Sequence, residues 1–365
     1  MFYMQNIIIN GRFLSQAVTG VQRYALGVVK ALDDLLDSGV IDPGLYSFTL
    51  LAPKDIRYRP DLRHIDIEVV GRLKGHLWEQ VELPLYAGKR VLVNLCTPAP
   101  LIKRNQVVMI HDAATYACPD EFSTAFRTWY KIMLYGLCKR AAKVVTVSNF
   151  SKKELAHYCK TDETNIHVVY PGIDHFNQTQ ADESVLQKYD LSGKKFVLAV
   201  SSLSPRKNFL RLVDAIATLG DTDLDLVVVG GSNHKVFNRI GLESRNRVKW
   251  LSSINDKELK ALYGSAYCFA FPSWYEGFGL PPIEAMLCGC PVVAANRASL
   301  PEVCGEAALY CDPYDPQDIA GKIRLLWNNA SLRDDLQARG LARASVFTWE
   351  KCAQDMWFII RQLLS

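Results

Sequence analysis

The stretch from Phe271 to Val293, Phe-Pro-Ser-Trp-Tyr-Glu-Gly-Phe-Gly-Leu-Pro-Pro-Ile-Glu-Ala-Met-Leu-Cys-Gly-Cys-Pro-Val-Val, limits the possible folds more than any other part of the chain. It predicts a strand over Ala266–Phe271, a glycine loop, a helix and a second strand from Pro291. Pro281 and Pro282 suit a first helical turn, where an amide hydrogen would be unpaired in any case. Gly289 is the expected helix stop. Gly277 and Gly279 let backbone amides approach a ligand with no side chain in the way. A helix N-terminus, with its unpaired amides and positive dipole end, favours phosphate. Two carboxylates bracket the device: Glu276 just before the loop and Glu284 one turn into the helix.

The same alternation recurs along the chain. Asn6–Asn10, Tyr46–Ala52, Ile65–Val70, Val91–Leu95, Val107–Ile110 and Val144–Val147 read as buried strands with helical stretches between them. That pattern predicts a mostly parallel α/β sheet. Phe196–Ser201, Leu224–Val229 and Val248–Leu251 open a second set. The polar run His175–Lys195 between the two sets reads as a linker, and 365 residues suffice for two cores. Phe347–Leu364 predicts an amphipathic terminal helix.

Several residues stand where open α/β sheets place ligand-handling groups, at strand ends and strand-to-helix crossings. His111 follows the Val107–Ile110 strand, with Asp112 beside it to orient it or to cap the next segment. Gly20 opens a helix that runs through Leu36. Arg206 and Lys207, in Ser-Pro-Arg-Lys-Asn, suit a pyrophosphate, Arg as a two-pronged donor and Lys as a point charge. Glu302 reads as a helix cap. The segment Glu121–Arg140 is helical, aromatic and basic, with Arg127, Lys131, Lys139 and Arg140 able to share one side. Such a helix packs on a core or lies at a membrane surface.

Bulk properties exclude other classes. A net charge of +4 is too small to argue for nucleic acid. No run approaches the ~20 apolar residues of a membrane span, and the N-terminus lacks signal-peptide regions. Ten scattered cysteines without Cys-x-x-Cys spacing suit reduced thiols in a cytosolic protein. No Asp-x-Asp at a strand end is placed to hold a metal between phosphates, so no metal is expected. The absence of Gly-x-Gly-x-x-Gly after either first strand argues against a dinucleotide oxidoreductase.

With seven residues between Glu276 and Glu284, Glu-Gly-Phe-Gly-Leu-Pro-Pro-Ile-Glu-Ala-Met resembles the E-x7-E signature of glycosyltransferase family 4. Those are retaining nucleotide-sugar transferases of the GT-B fold. The resemblance covers almost the whole chain and is tighter in the second half. It implies two Rossmann-like domains facing across a cleft: residues 1–175 for the acceptor and residues 176–346 for the nucleotide sugar. Residues 347–365 would cross back onto the first domain. By the same resemblance His111 contacts the donor sugar, Glu276 lies beside it, and Lys207 and Arg206 hold the diphosphate. The amides of Gly277, Phe278, Gly279 and Leu280 join them there, and Gly20 faces the phosphates. Glu284 takes the ribose hydroxyls, and the backbone at Leu251 and Ser252 reads the base. The family's further arginine a few residues earlier is replaced here by Ser201 and Ser202.

Ile-Asn-Gly-Arg-Phe, Thr-Gly-Val-Gln-Arg-Tyr and Pro-Arg-Lys-Asn together resemble bacterial enzymes that build surface polysaccharides such as O-antigen. The implied function is metal-free, retaining transfer of mannose from GDP-mannose to a lipid-linked or oligosaccharide acceptor. The implied place is the cytoplasm, at the inner membrane face. Alternatives are dTDP-rhamnose or a UDP-sugar as donor, an epimerase or phosphorylase of the same fold, or a non-catalytic partner subunit.

Overall fold

The structure is a computed structural model, which describes residues 4–200, 204–220, 223–230 and 247–364. Ser201 and Ser202 lie outside the described residues. The chain divides into two compact units, one of residues 1–172 with 347–365 and the other of residues 173–346.

Unit one holds a seven-stranded sheet: β1 (Gln5–Asn10), β2 (Tyr46–Ala52), β3 (Asp66–Val69), β4 (Leu92–Asn94), β5 (Gln106–Met109), β6 (Lys143–Thr146) and β7 (Ile166–Val168). Their order is β3-β2-β1-β4-β5-β6-β7, and every pairing is parallel. Ile7, Ile8 and Ile9 are fully buried, as continuous apolar runs in two-sided parallel sheets should be. The Gly20–Asp37 helix and the terminal Trp349–Arg361 helix pack against each other, and a Cβ on Gly27 would strike the Trp349 ring at 2.5 Å. The C-terminal helix therefore does return to the N-terminal unit.

Unit two holds β8 (Phe196–Val200), β9 (Asp225–Val229), β10 (Val248–Leu251), β11 (Cys268–Phe271), β12 (Val292–Ala295) and β13 (Ala308–Cys311). Their order is β10-β9-β8-β11-β12-β13, again all parallel. The apolar face of the Phe209–Ala217 helix packs over this sheet through Leu212, Val213 and Ile216.

Three expectations are corrected. The β2–β3 and β4–β5 connections carry no helix. Pro98 and Pro100 remove the donors a helix would need in the second. The first is held by the buried Asp33 carboxylate, which accepts the backbone N–H of Arg63, His64 and Ile65 at 2.8–2.9 Å. The run His175–Lys195 is no free linker: Phe176, Val185 and Leu191 are buried, and Lys260 Nζ donates to the carbonyls of Phe176 and Thr179. The aromatic, basic helix begins at Thr124, capped by Ser123, after a separate turn over Pro119–Glu121. Among the described residues, no helix is long and apolar enough to cross a membrane.

Candidate active site

In unit two the sheet order reverses between β8 and β11, and in open parallel sheets ligands bind outside the carboxyl ends of the strands at such a reversal. The chain leaving β8 forms a tight turn over Pro205–Lys207. Asn208 then takes a left-handed conformation (φ 61°), which asparagine tolerates better than most residues, and so starts the Phe209–Ala217 helix in a new direction. The buried Asn208 amide donates to the carbonyls of Pro272 and Pro313, fastening the turns that follow β8, β11 and β13 together. Trp274 N donates to Arg206 O at 3.0 Å.

These ties bring Lys207 and Glu276, 69 residues apart in sequence, into an ion pair with Nζ to Oε1 at 2.6 Å. The pair is shielded, with side chains only 16% and 11% exposed. Ser273, fully buried, donates to the same Oε1 at 2.6 Å. One carboxylate oxygen thus carries two donors, while Oε2 has no partner among the described residues. Lys207 Nζ also sits over the Phe271 ring at 5.0 Å, so the apolar strand end restricts where the ammonium can go.

The glycine turn is pinned from outside. Ser299, fully buried, donates to the carbonyls of Glu276 and Phe278 at 3.0 and 2.9 Å, so it serves the turn, not the helix it precedes. Glu302, the expected cap, stands in the first turn of the Leu300–Cys304 helix, where a carboxylate suits the positive dipole end. Gly279 has φ 94°, and a Cβ there would meet Leu300 Cδ2 at 2.7 Å. With prolines at the second and third positions of the Leu280–Leu287 helix, those residues offer no N–H, and the donors at this helix start are the amides of Leu280 and of the turn before it. Those of Gly279 and Leu280 have no partner among the described residues.

Glu284 is buried and accepts from the Tyr263 hydroxyl at 3.2 Å. Burial lifts the Tyr263 phenol well above its ordinary value, so it stays a donor. Leu251 and Ser252 lie at the carboxyl end of β10, two strands from β8, or about 10 Å along the rim. Leu251 is buried and its carbonyl accepts from Gly230 N, while Ser252 is exposed.

In unit one, His111 follows β5 and its Nε2 lies 3.1 Å from Leu95 O. A carbonyl can only accept, so Nε2 carries the proton and Nδ1 keeps its lone pair. The ring packs edge-on against buried Tyr24, at 5.0 Å between centroids. Burial lowers the His111 pKa, against smaller upward pulls from the Leu95 carbonyl and Asp112. Asp112 Oδ1 accepts from Ala114 N at 2.8 Å, which is the capping role; its pull on His111 is electrostatic only. Gly20 starts the helix that carries Tyr24 one turn later, behind Thr19, whose N–H donates to Gln22 Oε1. Gly20 and His111 therefore belong to one rim, and Lys207, Glu276 and the glycine turn to the other.

Sequence reasoning missed Ser273, Asn208, Ser299 and Tyr263. Ser273 and Asn208 lie inside the quoted motifs, but their roles need the neighbouring strands. Ser299 and Tyr263 act across 21 to 23 residues and leave no local signal.

Two conserved-family descriptions match the chain: Glycosyltransferase Family 4 over residues 18–175 and Glycosyl transferases group 1 over residues 182–343. Among similar proteins, an O-antigen chain mannosyltransferase B of Escherichia coli is 32% identical over 67% of each chain. The O-antigen chain mannosyltransferase RfbU of Salmonella typhimurium is 26% identical over 87% of this chain and 90% of its own. The fold matches sucrose-phosphate synthase from Thermosynechococcus elongatus at a TM-score of 0.75, with 19% identity over 99% of both chains. The chain belongs to glycosyltransferase family 4 and has the GT-B fold; it is a glycosyltransferase.

Proposed function

We propose that this glycosyltransferase moves mannose from GDP-mannose to a lipid-linked or oligosaccharide acceptor in bacterial surface polysaccharide synthesis. The transfer retains the anomeric configuration and uses no metal. The observation that carries the reading is the shielded Lys207–Glu276 pair at the sheet reversal, beside a glycine turn where the Gly279 and Leu280 amides have no partner among the described residues. Breaking the sugar–phosphate bond leaves negative charge on the diphosphate, and fixed cations and amides aimed at that charge are the main catalytic requirement. Lys207 supplies the charge and Arg206 adds to it. The amides of Gly277 to Leu280 form a cradle in which glycine at 279 avoids a collision. Glu276, released from Lys207 by the diphosphate, turns its oxygen to the sugar. Glu284 holds the ribose, Leu251 and Ser252 border the base, and His111 meets the donor sugar with Gly20 beside it. The mannosyl choice is supported by the names of the similar proteins.

The test is transfer of labelled mannose from GDP-mannose to a synthetic lipid-linked acceptor in EDTA, with the product anomer read by NMR. An α-mannosyl product formed without metal supports the proposal. Transfer only from dTDP-rhamnose or a UDP-sugar overturns the donor, and a β-product overturns retention.

A further inference from the structure

The rim of the N-terminal sheet holds a second shielded charge pair that the donor chemistry leaves unused. Strand order there reverses between β1 and β4. Asn10 ends β1, Asn94 ends β4, and Arg12 follows on the turn Gly11–Ser15. Glu79 reaches them from the π-helical turn Trp78–Glu82, a geometry that recurs at functional sites. Glu79 is 1% exposed. Its Oε1 accepts from Asn10 Nδ2 at 3.1 Å and its Oε2 from Arg12 Nη1 at 3.0 Å, with His76 Nδ1 at 3.4 Å. Asn10 spends its other amide hydrogen on Asn94 Oδ1 at 3.0 Å and accepts from Arg12 N at 3.1 Å.

One donor in this network is unmatched: Arg12 Nε is buried without a hydrogen-bond partner among the described residues. A buried N–H left unpaired is costly, and an acceptor oxygen placed there would remove that cost. The pair is formally neutral. A phosphate would add negative charge beside the Glu79 carboxylate, whereas a hydroxyl or ring oxygen accepts from Nε at no such cost. The His76 ring, partly exposed, meets the Trp129 ring edge-on at 6.2 Å, which sets an aromatic side chain beside the pair. His111 closes β5, two strands from β1, about 10 Å along the same rim.

We propose that Arg12, held in place by Glu79 and Asn10, binds the oxygens of the acceptor's terminal sugar, selecting a neutral carbohydrate end over a phosphate end. The proposal rests on the glycosyltransferase reading above. Arg12 touches the acceptor, and Glu79 is a positioning residue.

The test is saturation-transfer NMR of the full chain with methyl glycosides of mannose, rhamnose and N-acetylglucosamine, and separately with inorganic phosphate. Each is run on wild type, Arg12→Lys and the double variant Arg12→Met/Glu79→Leu. At least one glycoside should bind wild type and lose about 10-fold or more in affinity in both variants, because lysine lacks the forked donors. The double variant leaves no charge buried alone, so a purely structural pair would regain normal binding in it. The proposal is overturned if no glycoside binds wild type, if both variants bind as wild type does, or if phosphate binds through Arg12 in preference to sugar. Nucleoside diphosphate thermal shifts on the same samples separate the two readings. Their loss in wild type sinks the glycosyltransferase site, while a normal shift with Arg12-indifferent glycoside binding sinks this inference alone.

Discussion

The two sheets solve the same problem with different parts. Each reverses its strand order once, and each sets a cation–carboxylate pair at that reversal: Lys207–Glu276 in the C-terminal unit and Arg12–Glu79 in the N-terminal unit. In the first, the carboxylate leads into a glycine turn where the Gly279 and Leu280 amides have no partner among the described residues, so the surroundings favour added negative charge. In the second, the carboxylate sits on a π-helical turn, takes donors on both oxygens, and leaves the buried guanidinium Nε–H without a partner among the described residues. The difference is one of ligand charge. In the two proposals above, one rim takes a diphosphate and the other neutral oxygens.

The comparison breaks most readily at Glu79. Glu79→Ala leaves Arg12 charged and unpaired, and should cost about 3–5 kcal/mol in denaturant unfolding. Arg12→Met/Glu79→Leu should recover most of that loss. Recovery of none would mean that the polar network, not the charge, holds the unit together. On the other rim, Lys207→Ala should cut kcat for donor cleavage by roughly 10²–10³-fold, the scale of losing one fixed donor to developing charge. Steady-state release of nucleoside diphosphate reads this, and near-normal turnover would remove Lys207 from the chemistry. Ser299→Ala should destabilise by about 1–3 kcal/mol, since the carbonyls of Glu276 and Phe278 lose their shared donor. Gly279→Ala should cost a similar ~1–3 kcal/mol through its left-handed backbone, with a loss of nucleotide affinity beyond that of Ser299→Ala.

The smallest expected effect concerns pH. Burial lowers the His111 pKa from the ordinary 6.5, so below 6.5 the unfolded chain takes up a proton that the folded chain refuses. Stability is therefore full above pH 6.5 and falls with pH until the lowered folded value is reached. His111→Asn should flatten that limb of the stability profile. An unchanged slope would assign it to another group, with His167, also lowered by burial, next in line.

What was legible in the sequence follows from how local each signal is. The 266–293 stretch carries its strand, turn, prolines and carboxylates in one run, so its local geometry could be read directly. Parallel strands such as Ile7–Ile9 announce themselves through continuous apolar runs. The Arg12–Glu79 pair was not legible, because its partners lie 67 residues apart and join only when β1 and β4 become neighbours. Asp33 likewise looks like a solvated helix residue until the non-helical β2–β3 connection folds onto it. The polar run at 175–195 misled because burial there rests on single residues, Phe176, Val185 and Leu191, too sparse to form a period.

The central claim is that Lys207 receives a nucleoside diphosphate without a metal. A thermal-unfolding screen of wild type and Lys207→Ala against GDP, UDP, dTDP and ADP, in EDTA and in Mg²⁺, tests it directly. A ligand at about 100 times its Kd adds roughly 2.7 kcal/mol. The account predicts a GDP shift of equal size in EDTA and in Mg²⁺ that is lost in Lys207→Ala. A shift seen only with Mg²⁺, or one that survives the loss of Lys207, would contradict it.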